Sequence, residues 1–311
     1  MKIKSALESH FKSDSVVTIG TFDGVHIGHQ KIIKRLVKIA KKNKIRAVVL
    51  TFFPHPRMVL QKDMSLKLIN TIDEKSLLLE KLGVDHLVVK SFTKEFSRLS
   101  ALEFVRDVLV NKLRTKHIII GYDHHFGRNR AANIDDLREF GEVYNFKVIE
   151  ISAQEVNEVA VSSTKIRNAL MEGDLNAANK YLGYHFMLTG TVVKGKGIGK
   201  KLDFPTANLN IDETYKLIPK NGVYAVRSTI DGESVFGMMN IGTNPTFNDG
   251  TEQFIEINFF NFDRDIYGKQ LQIDLIERLR DEQKFETTEA LKAQLISDRE
   301  NALNCISKIN D

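Results

Sequence analysis

The hydrophobic period of this 311-residue chain changes once, near residue 183, and that change limits the available folds more than any other feature. Before it, short runs rich in β-branched residues alternate with stretches of helical spacing; the runs are VVTIGT, AVVLTF, HLVVK, HIIIG and FKVIEI. Runs of this kind suit strands buried on both faces, and the helical stretches can cross over and lay each strand parallel to the last. Between the first two runs, Ile32, Leu36, Ile39 and Ala40 recur at helical spacing while Lys34, Lys38, Lys41 and Lys42 mark a solvated side. A later stretch, STKIRNALMEGDLNAANKYLG, offers Ile166, Leu170, Leu175, Ala178 and Leu182 as core positions and Gly183 as its stop.

Beyond Gly183 the period falls to two. MLTGTVV, GVYAVRST, VFGMMNIG, FIEINFFNF and LQIDLIERL are separated by turn residues, which predicts an antiparallel barrel or sandwich. In the last segment Leu291, Leu295, Ala302 and Ile306 share one helical face, so a terminal helix is expected to pack on that barrel. The expected architecture is α/β plus β: a Rossmann-like parallel-sheet domain over residues 1–184 and a β domain over 185–311.

Composition narrows the partners. No apolar run approaches the roughly 18 residues of a membrane span, and MKIKSALESHFKSDS has no signal-like stretch, so a cytoplasmic chain without a membrane partner is expected. Cys305 is the sole cysteine, which excludes an internal disulfide and leaves it as a small apolar residue of the terminal helix. The net charge of +5 is uneven: residues 1–186 carry 30 Lys+Arg against 21 Asp+Glu, whereas 187–311 carry 15 against 19. The first half therefore favours polyphosphates.

Three segments carry candidate chemistry. GTFDGVHIGH, residues 20–29, lies where the first strand meets the first helix, a place that binds anions. Gly20, Gly24 and Gly28 flank Phe22 and let the backbone approach a phosphate, while His26 and His29 put two imidazoles at the helix opening. SSTKIR opens another helix with Ser162, Ser163 and Thr164 hydroxyls and the Arg167 cation; alone, either serine is simply a cap. KGKGIGKKLDFPTANL has Gly195, Gly197, Gly199 and Lys201 in a loop, then Pro205, Thr206 and Asn208. Such a loop either wraps a triphosphate or is a flexible hairpin, and Thr206 and Asn208 offer oxygens that Mg²⁺ accepts. In FIEINFFNF, alternation sets Ile255, Ile257 and Phe259 against Glu256 and Asn258, leaving Glu256 either beside a cavity or solvated. If their segment is extended, His124 and His125 point to opposite faces, which argues against a zinc site.

Joined by TFFPHP at Thr51–Pro56 and GYDHHFG at Gly121–Gly127, the first two segments resemble the adenylyltransferase module of the bacterial bifunctional riboflavin kinase/FAD synthetase family. PTAN, the Glu256 strand ahead of NFDRDIYG, and RLRDEQKF extend the resemblance to the C-terminus. It implies an N-terminal nucleotidylyltransferase domain that adenylylates FMN to FAD, releasing pyrophosphate, and a C-terminal β-barrel kinase that phosphorylates riboflavin to FMN. Both steps would use ATP and Mg²⁺. By the same resemblance His26, His29 and Arg167 act in adenylyl transfer with Ser163 and Thr164, His55 belongs to the phosphate-binding region, and Asp123 lies near the nucleotide. Glu256 becomes the kinase's general base, Thr206 and Asn208 its Mg²⁺ ligands, and Arg280 a flavin contact. The chain departs from the family pattern at His124, Lys201 and Asp203.

The partners so implied are small molecules only, with the chain a monomer or weak homo-oligomer. Two other readings stay open. An N-terminal transferase acting on nicotinamide mononucleotide or a pantetheine phosphate leaves PTAN and Glu256 unexplained. A C-terminal barrel binding single-stranded nucleic acid wants a basic groove with stacking aromatics, against an acidic region without Trp.

Overall fold

A computed structural model describes residues 2–4, 11–63, 65–121, 125–152, 161–195, 204–245 and 251–308. Asp123, His124, Gly197, Gly199, Lys201 and Asp203 lie outside the described residues. The chain forms two compact units, Met1–Ser163 and Thr164–Asp311.

The first unit is a six-stranded parallel sheet in the order β1-β4-β3-β2-β5-β6. Its elements are β1 (Lys2–Lys4), β2 (Ser15–Ile19), α1 (Ile27–Asn43), β3 (Arg46–Phe53), α2 (Pro56–Leu60), α3 (Ile72–Lys81) and β4 (His86–Ser91). A helical stretch, α4, follows at Ala101–Glu103 and widens to a π-wound Phe104–Lys112; then come β5 (Thr115–Gly121), α5 (Ile134–Tyr144) and β6 (Lys147–Ile151). All five expected strands form. β1 was not foreseen, because three residues of Lys-Ile-Lys carry no period; it adds to the sheet edge beside β4.

Every residue of β2 is buried, as its position between β3 and β5 requires. On α1 the buried stripe is Ile33, Leu36, Val37 and Ala40, with Ile32 and Ile39 only half-buried and the four lysines exposed. The apolar band of that helix is wide enough for two stripes, and packing on the sheet selects one of them. Strand order reverses beside β2: β3 and β4 lie on one side, β5 and β6 on the other. The carboxyl ends of β2 and β5 are therefore the topological switch point, where open α/β sheets bind ligands.

In the second unit, α6 (Ser163–Glu172) and α7 (Leu175–Leu182) bury all five expected core positions, and Gly183 ends α7 with φ of 75°. Strands β7 (Met187–Val193), β8 (Ala207–Asn210), β9 (Gly222–Ile230), β10 (Glu233–Pro245), β11 (Thr251–Phe259) and β12 (Gln270–Arg280) close into an antiparallel barrel, ordered β10-β11-β8-β7-β12-β9. The compact units divide about twenty residues ahead of the 184/185 boundary read from the period. Hydrogen bonds account for this: Lys220 N–H donates to the Leu170 carbonyl (3.0 Å), and the Asn179 side chain accepts from Phe186 N–H (2.7 Å) and donates to the Leu275 carbonyl (3.1 Å).

The terminal helix α8 (Thr288–Ser307) packs on the barrel through Ala302 and Ile306, with Leu291 and Leu295 at the margin, against Phe204, Val223, Ala225, Met238, Phe260 and Ile276. Cys305 is half-buried against the same cluster. The sequence reading treated 194–209 as loop throughout. The structure instead starts β8 at Ala207, a strand of four residues whose only buried side chain is Leu209, too short to show alternation.

Candidate active sites

Where β2 ends, the chain makes a turn that sequence alone does not favour. Phe22, Gly24 and Val25 all have positive φ, at 46°, 85° and 36°, which is costly for the two side-chain-bearing residues. Surrounding bonds hold it. Gly20 N–H donates to the Leu50 carbonyl (3.1 Å) and Val25 N–H to that of Phe22 (3.2 Å). The Thr21 carbonyl accepts from Thr51 Oγ1 (3.1 Å) and Lys75 Nζ (2.8 Å). The buried Asp23 carboxylate accepts from Ile69 N–H (2.9 Å), and the Asp23 carbonyl accepts from Ser163 Oγ (2.9 Å). This last bond joins the GTFDGVHIGH and SSTKIR segments across 140 residues.

His26 caps α1, its Nδ1 accepting from His29 N–H (3.4 Å), which places the proton of the neutral ring on Nε2. The rings of His26 and His29 stack with centroids 3.6 Å apart and planes 18° apart, and Phe22 meets His29 edge-on at 5.1 Å. Gly28 has a second reason to be glycine: a Cβ there would sit 3.3 Å from the His26 ring. Burial pushes the His26 pKa down to about 4, with Asp23 opposing. His29 is held well below the ordinary histidine value by loss of hydration, His26 and Lys75. Both rings are thus neutral at pH 7, so each acts as a hydrogen-bond donor and not as a cation.

These shifts predict an acid transition. A histidine whose folded pKa lies below its unfolded value leaves stability whole above the unfolded pKa of 6.5. It removes stability as pH falls toward about 4, because the unfolded chain binds protons that the fold excludes. His26 alone is expected to cost on the order of 3 kcal/mol across that window, at about 1.4 kcal/mol per pKa unit. Urea titrations followed by circular dichroism at pH 7, 5.5 and 4.5 measure it, and His26→Gln is expected to flatten the slope.

Two features of this site have no signature in the sequence motifs. Lys75, on the first turn of α3, is only 3% exposed, and burial lowers its pKa to about 8 while Asp23 pulls it back up. In sequence it looks like any lysine on a helix; only the meeting of α3 with the β2–α1 turn reveals it. The other feature is a cleft of about 530 Å³ lined by Ile19 at the end of β2, Phe52 of β3, Phe92, Phe96, Phe104 and Phe126, with Arg57, Arg98, Arg128 and Arg130 among its polar lining. Phe52, Phe92 and Phe96 lie within 5.6 to 5.8 Å of one another. The clustering of Phe in SFTKEFSRL was the available signal.

The remaining predicted residues of the first half fall as follows. His55 caps α2, its Nδ1 accepting from Arg57 N–H (3.2 Å). Ser162 and Thr164 are exposed and Arg167 half-buried around the opening of α6.

In the barrel, β8 is what assembles the site. Asn208 pairs directly with Glu256 on β11, and Glu256 pairs on its other side with Asn240 of β10, so the three side chains share one face. Glu256 is half-buried between buried Ile255 and Ile257. Asn258, buried on the same strand, donates from Nδ2 to the Pro205 carbonyl (2.8 Å) and pins the turn from which Thr206 and Asn208 follow. Gly195 lies so close to the Asn208 amide that a Cβ there would collide with it and displace that side chain. Thr206 and Asn208 are half-buried oxygen donors beside a carboxylate, a set that fits Mg²⁺ when substrate phosphates supply the remaining ligands. Among the described residues no group of three His, Cys, Asp or Glu side chains is arranged to hold a metal alone.

Arg280 does a job the sequence did not suggest. It forks onto Asp298 of α8, Nε to Oδ1 at 2.8 Å and Nη2 to Oδ2 at 2.6 Å, while Nη1 donates to the Asp281 carbonyl (2.9 Å). Its guanidinium clamps α8 to β12, and Asp298 is 1% exposed. Arg280→Ala leaves that buried carboxylate without its cation, with the Gln294 amide (2.9 Å) still donating to it, and is expected to destabilise the barrel by about 3 kcal/mol, read from the urea midpoint.

The two units match two families in order. A FAD synthetase family model covers residues 8–165 and a riboflavin kinase model residues 182–306. The bifunctional riboflavin kinase/FMN adenylyltransferase of Buchnera aphidicola subsp. Schizaphis graminum is 40% identical over 93% of each chain. That of Listeria monocytogenes is 39% identical over 96% of this chain and 94% of its own. A crystal structure described as a macrolide-efflux protein from Streptococcus pneumoniae is 33% identical, covers 97% of this chain and 98% of its own, and gives a TM-score of 0.87. No helix among the described residues here is long and apolar enough to cross a membrane. With both halves matched in sequence order and the relatives aligned over nearly their whole length, this chain belongs to the bifunctional riboflavin kinase/FMN adenylyltransferase family.

Proposed function

We propose that the barrel phosphorylates riboflavin to FMN and that the parallel-sheet unit adenylylates FMN to FAD, each step consuming ATP. The observation that carries this reading is the presence of two separate polar sites, one at a sheet switch point and one around a barrel carboxylate. We take the catalytic modules as residues 1–184 and 185–311.

In the barrel, the riboflavin 5′-hydroxyl is a weak nucleophile, and Glu256 accepts its proton as the oxygen attacks the γ-phosphorus of ATP. Thr206 and Asn208 would hold Mg²⁺, which supplies charge neutralisation at the phosphates when bound. Asn258 keeps Thr206 and Asn208 in place through the Pro205 carbonyl. Gly197, Gly199 and Lys201 complete the phosphate loop in this reading.

In the sheet unit, the FMN phosphate is already an anion at neutral pH and needs no base. It attacks the α-phosphorus of ATP and pyrophosphate departs. Neutral His26 and His29 donate hydrogen bonds toward the developing charge, and the backbone N–H groups opening α1 add their dipoles. In this reading Ser163, Thr164, Arg167 and His55 bind phosphates, and Asp123 binds the nucleotide. The phenylalanine-lined cleft, with its arginine rim, takes the flat flavin ring. The chain acts in the cytoplasm as a monomer or weak homo-oligomer, without nucleic acid.

Supplying riboflavin or FMN with ATP and Mg²⁺, then separating products by chromatography, tests this. Riboflavin is expected to give FMN followed by FAD, and FMN to give FAD with pyrophosphate, both lost in chelator. FMN that returns unchanged overturns the reading of the sheet unit; riboflavin that returns unchanged overturns that of the barrel.

A further inference from the structure

We propose that Lys75 supplies the fixed positive charge of the adenylyl-transfer site, acting as a positioning residue behind the histidine pair. The inference rests on the adenylyltransferase reading of the first unit and extends it to a residue outside the recognised motifs. Lys75 is buried on α3, and its ammonium donates to the Thr21 carbonyl (2.8 Å), inside the turn that carries His26 and His29. Among the described residues no carboxylate lies within ion-pair distance of it; Asp23 acts on it from farther off and His29 feels its charge. Glu74, its neighbour on α3, is turned to the Thr71 cap.

A buried ammonium with one carbonyl acceptor and no contacting carboxylate is expensive to keep, and an anion bound nearby would compensate it. The stacked histidines cannot balance a triphosphate themselves, because burial keeps both uncharged. Lys75 fills that gap in two ways. It fixes the Thr21 carbonyl, and with it the strained Phe22–Val25 turn, and it sets a positive potential at His29 that polarises the ring's N–H toward a phosphate.

The test uses the full chain, with FAD formation from FMN and ATP followed from pH 6.5 to 9.5. Lys75→Met is expected to lower kcat for FAD formation at least tenfold at pH 7.5, with riboflavin phosphorylation unchanged as an internal control. In the unaltered chain kcat is expected to fall as pH rises through about 8, where Lys75 loses its proton. Lys75→Arg, which stays charged, is expected to keep most activity and lose that alkaline fall. A purely structural lysine would not move the pH profile. If Lys75→Met does not fold, the Lys75→Arg profile decides alone. An alkaline limb identical in the Arg variant, or a folded Met variant with more than half the normal kcat, overturns the inference. An unaltered chain that makes no FAD overturns the functional reading, and the inference with it.

Discussion

Glu256→Gln is expected to lower riboflavin phosphorylation by about 10²- to 10⁴-fold while leaving conversion of supplied FMN to FAD within twofold. The substitution keeps the size of the side chain and its place between Asn208 and Asn240, so the strand register that shapes the barrel site is preserved. What it removes is a group able to take the proton of the riboflavin hydroxyl. The loss should appear in kcat, with KM for riboflavin and for ATP little altered, because the proton moves only as the bond to phosphorus forms. A stopped assay with separated products reads both activities of one preparation, so the intact FMN-to-FAD step certifies the protein. Equal loss of both activities in a folded variant would mean that the sites are not independent. Glu256→Gln with near-normal phosphorylation would remove Glu256 from the role of base.

The contrast between what the sequence revealed and what it hid follows from the range of the interactions involved. Hydrophobic period is a local property, so the strands, the core face of α6 and α7 and the seat of α8 were all readable from it. His26, His29 and Ser163 sit in compact segments that a sequence pattern can single out, and the Ser163–Asp23 bond brings two of those segments together. Lys75 was missed because its role depends on α3 meeting a turn fifty residues earlier. Asn258 was read as a polar-face residue, but its value comes from the Pro205 carbonyl, a backbone partner without a side-chain signature. Arg280 has a partner of the same hidden kind: the buried Asp298, eighteen residues on, holds its guanidinium, and no local pattern announces that pair. For the histidines, spacing places two imidazoles at the helix opening, and burial adds that both are neutral.

His29→Ala is expected to lower FAD formation by about 10²- to 10³-fold, the effect of losing one fixed donor to developing charge, while riboflavin phosphorylation continues and FMN accumulates. Two consequences of the deletion can be separated. Removing the ring ends its stacking on His26 and its edge contact with Phe22, which loosens the cap of α1; it also deletes a donor. His29→Asn restores a short polar side chain with an N–H but no aromatic face. If donation to the phosphate dominates, Asn recovers part of kcat lost in Ala. If stacking dominates, both variants fall alike, and His26, freed from its neighbour, becomes easier to protonate. That second case weakens the acid transition of the Ala variant, because loss of burial lets the His26 pKa rise from about 4 toward its ordinary value and closes the gap between folded and unfolded chain that drives the loss. A His29→Ala chain that still makes FAD at a normal rate would leave His26 and the helix N-terminus as the charge-stabilising elements of the site and remove the His29 imidazole from it.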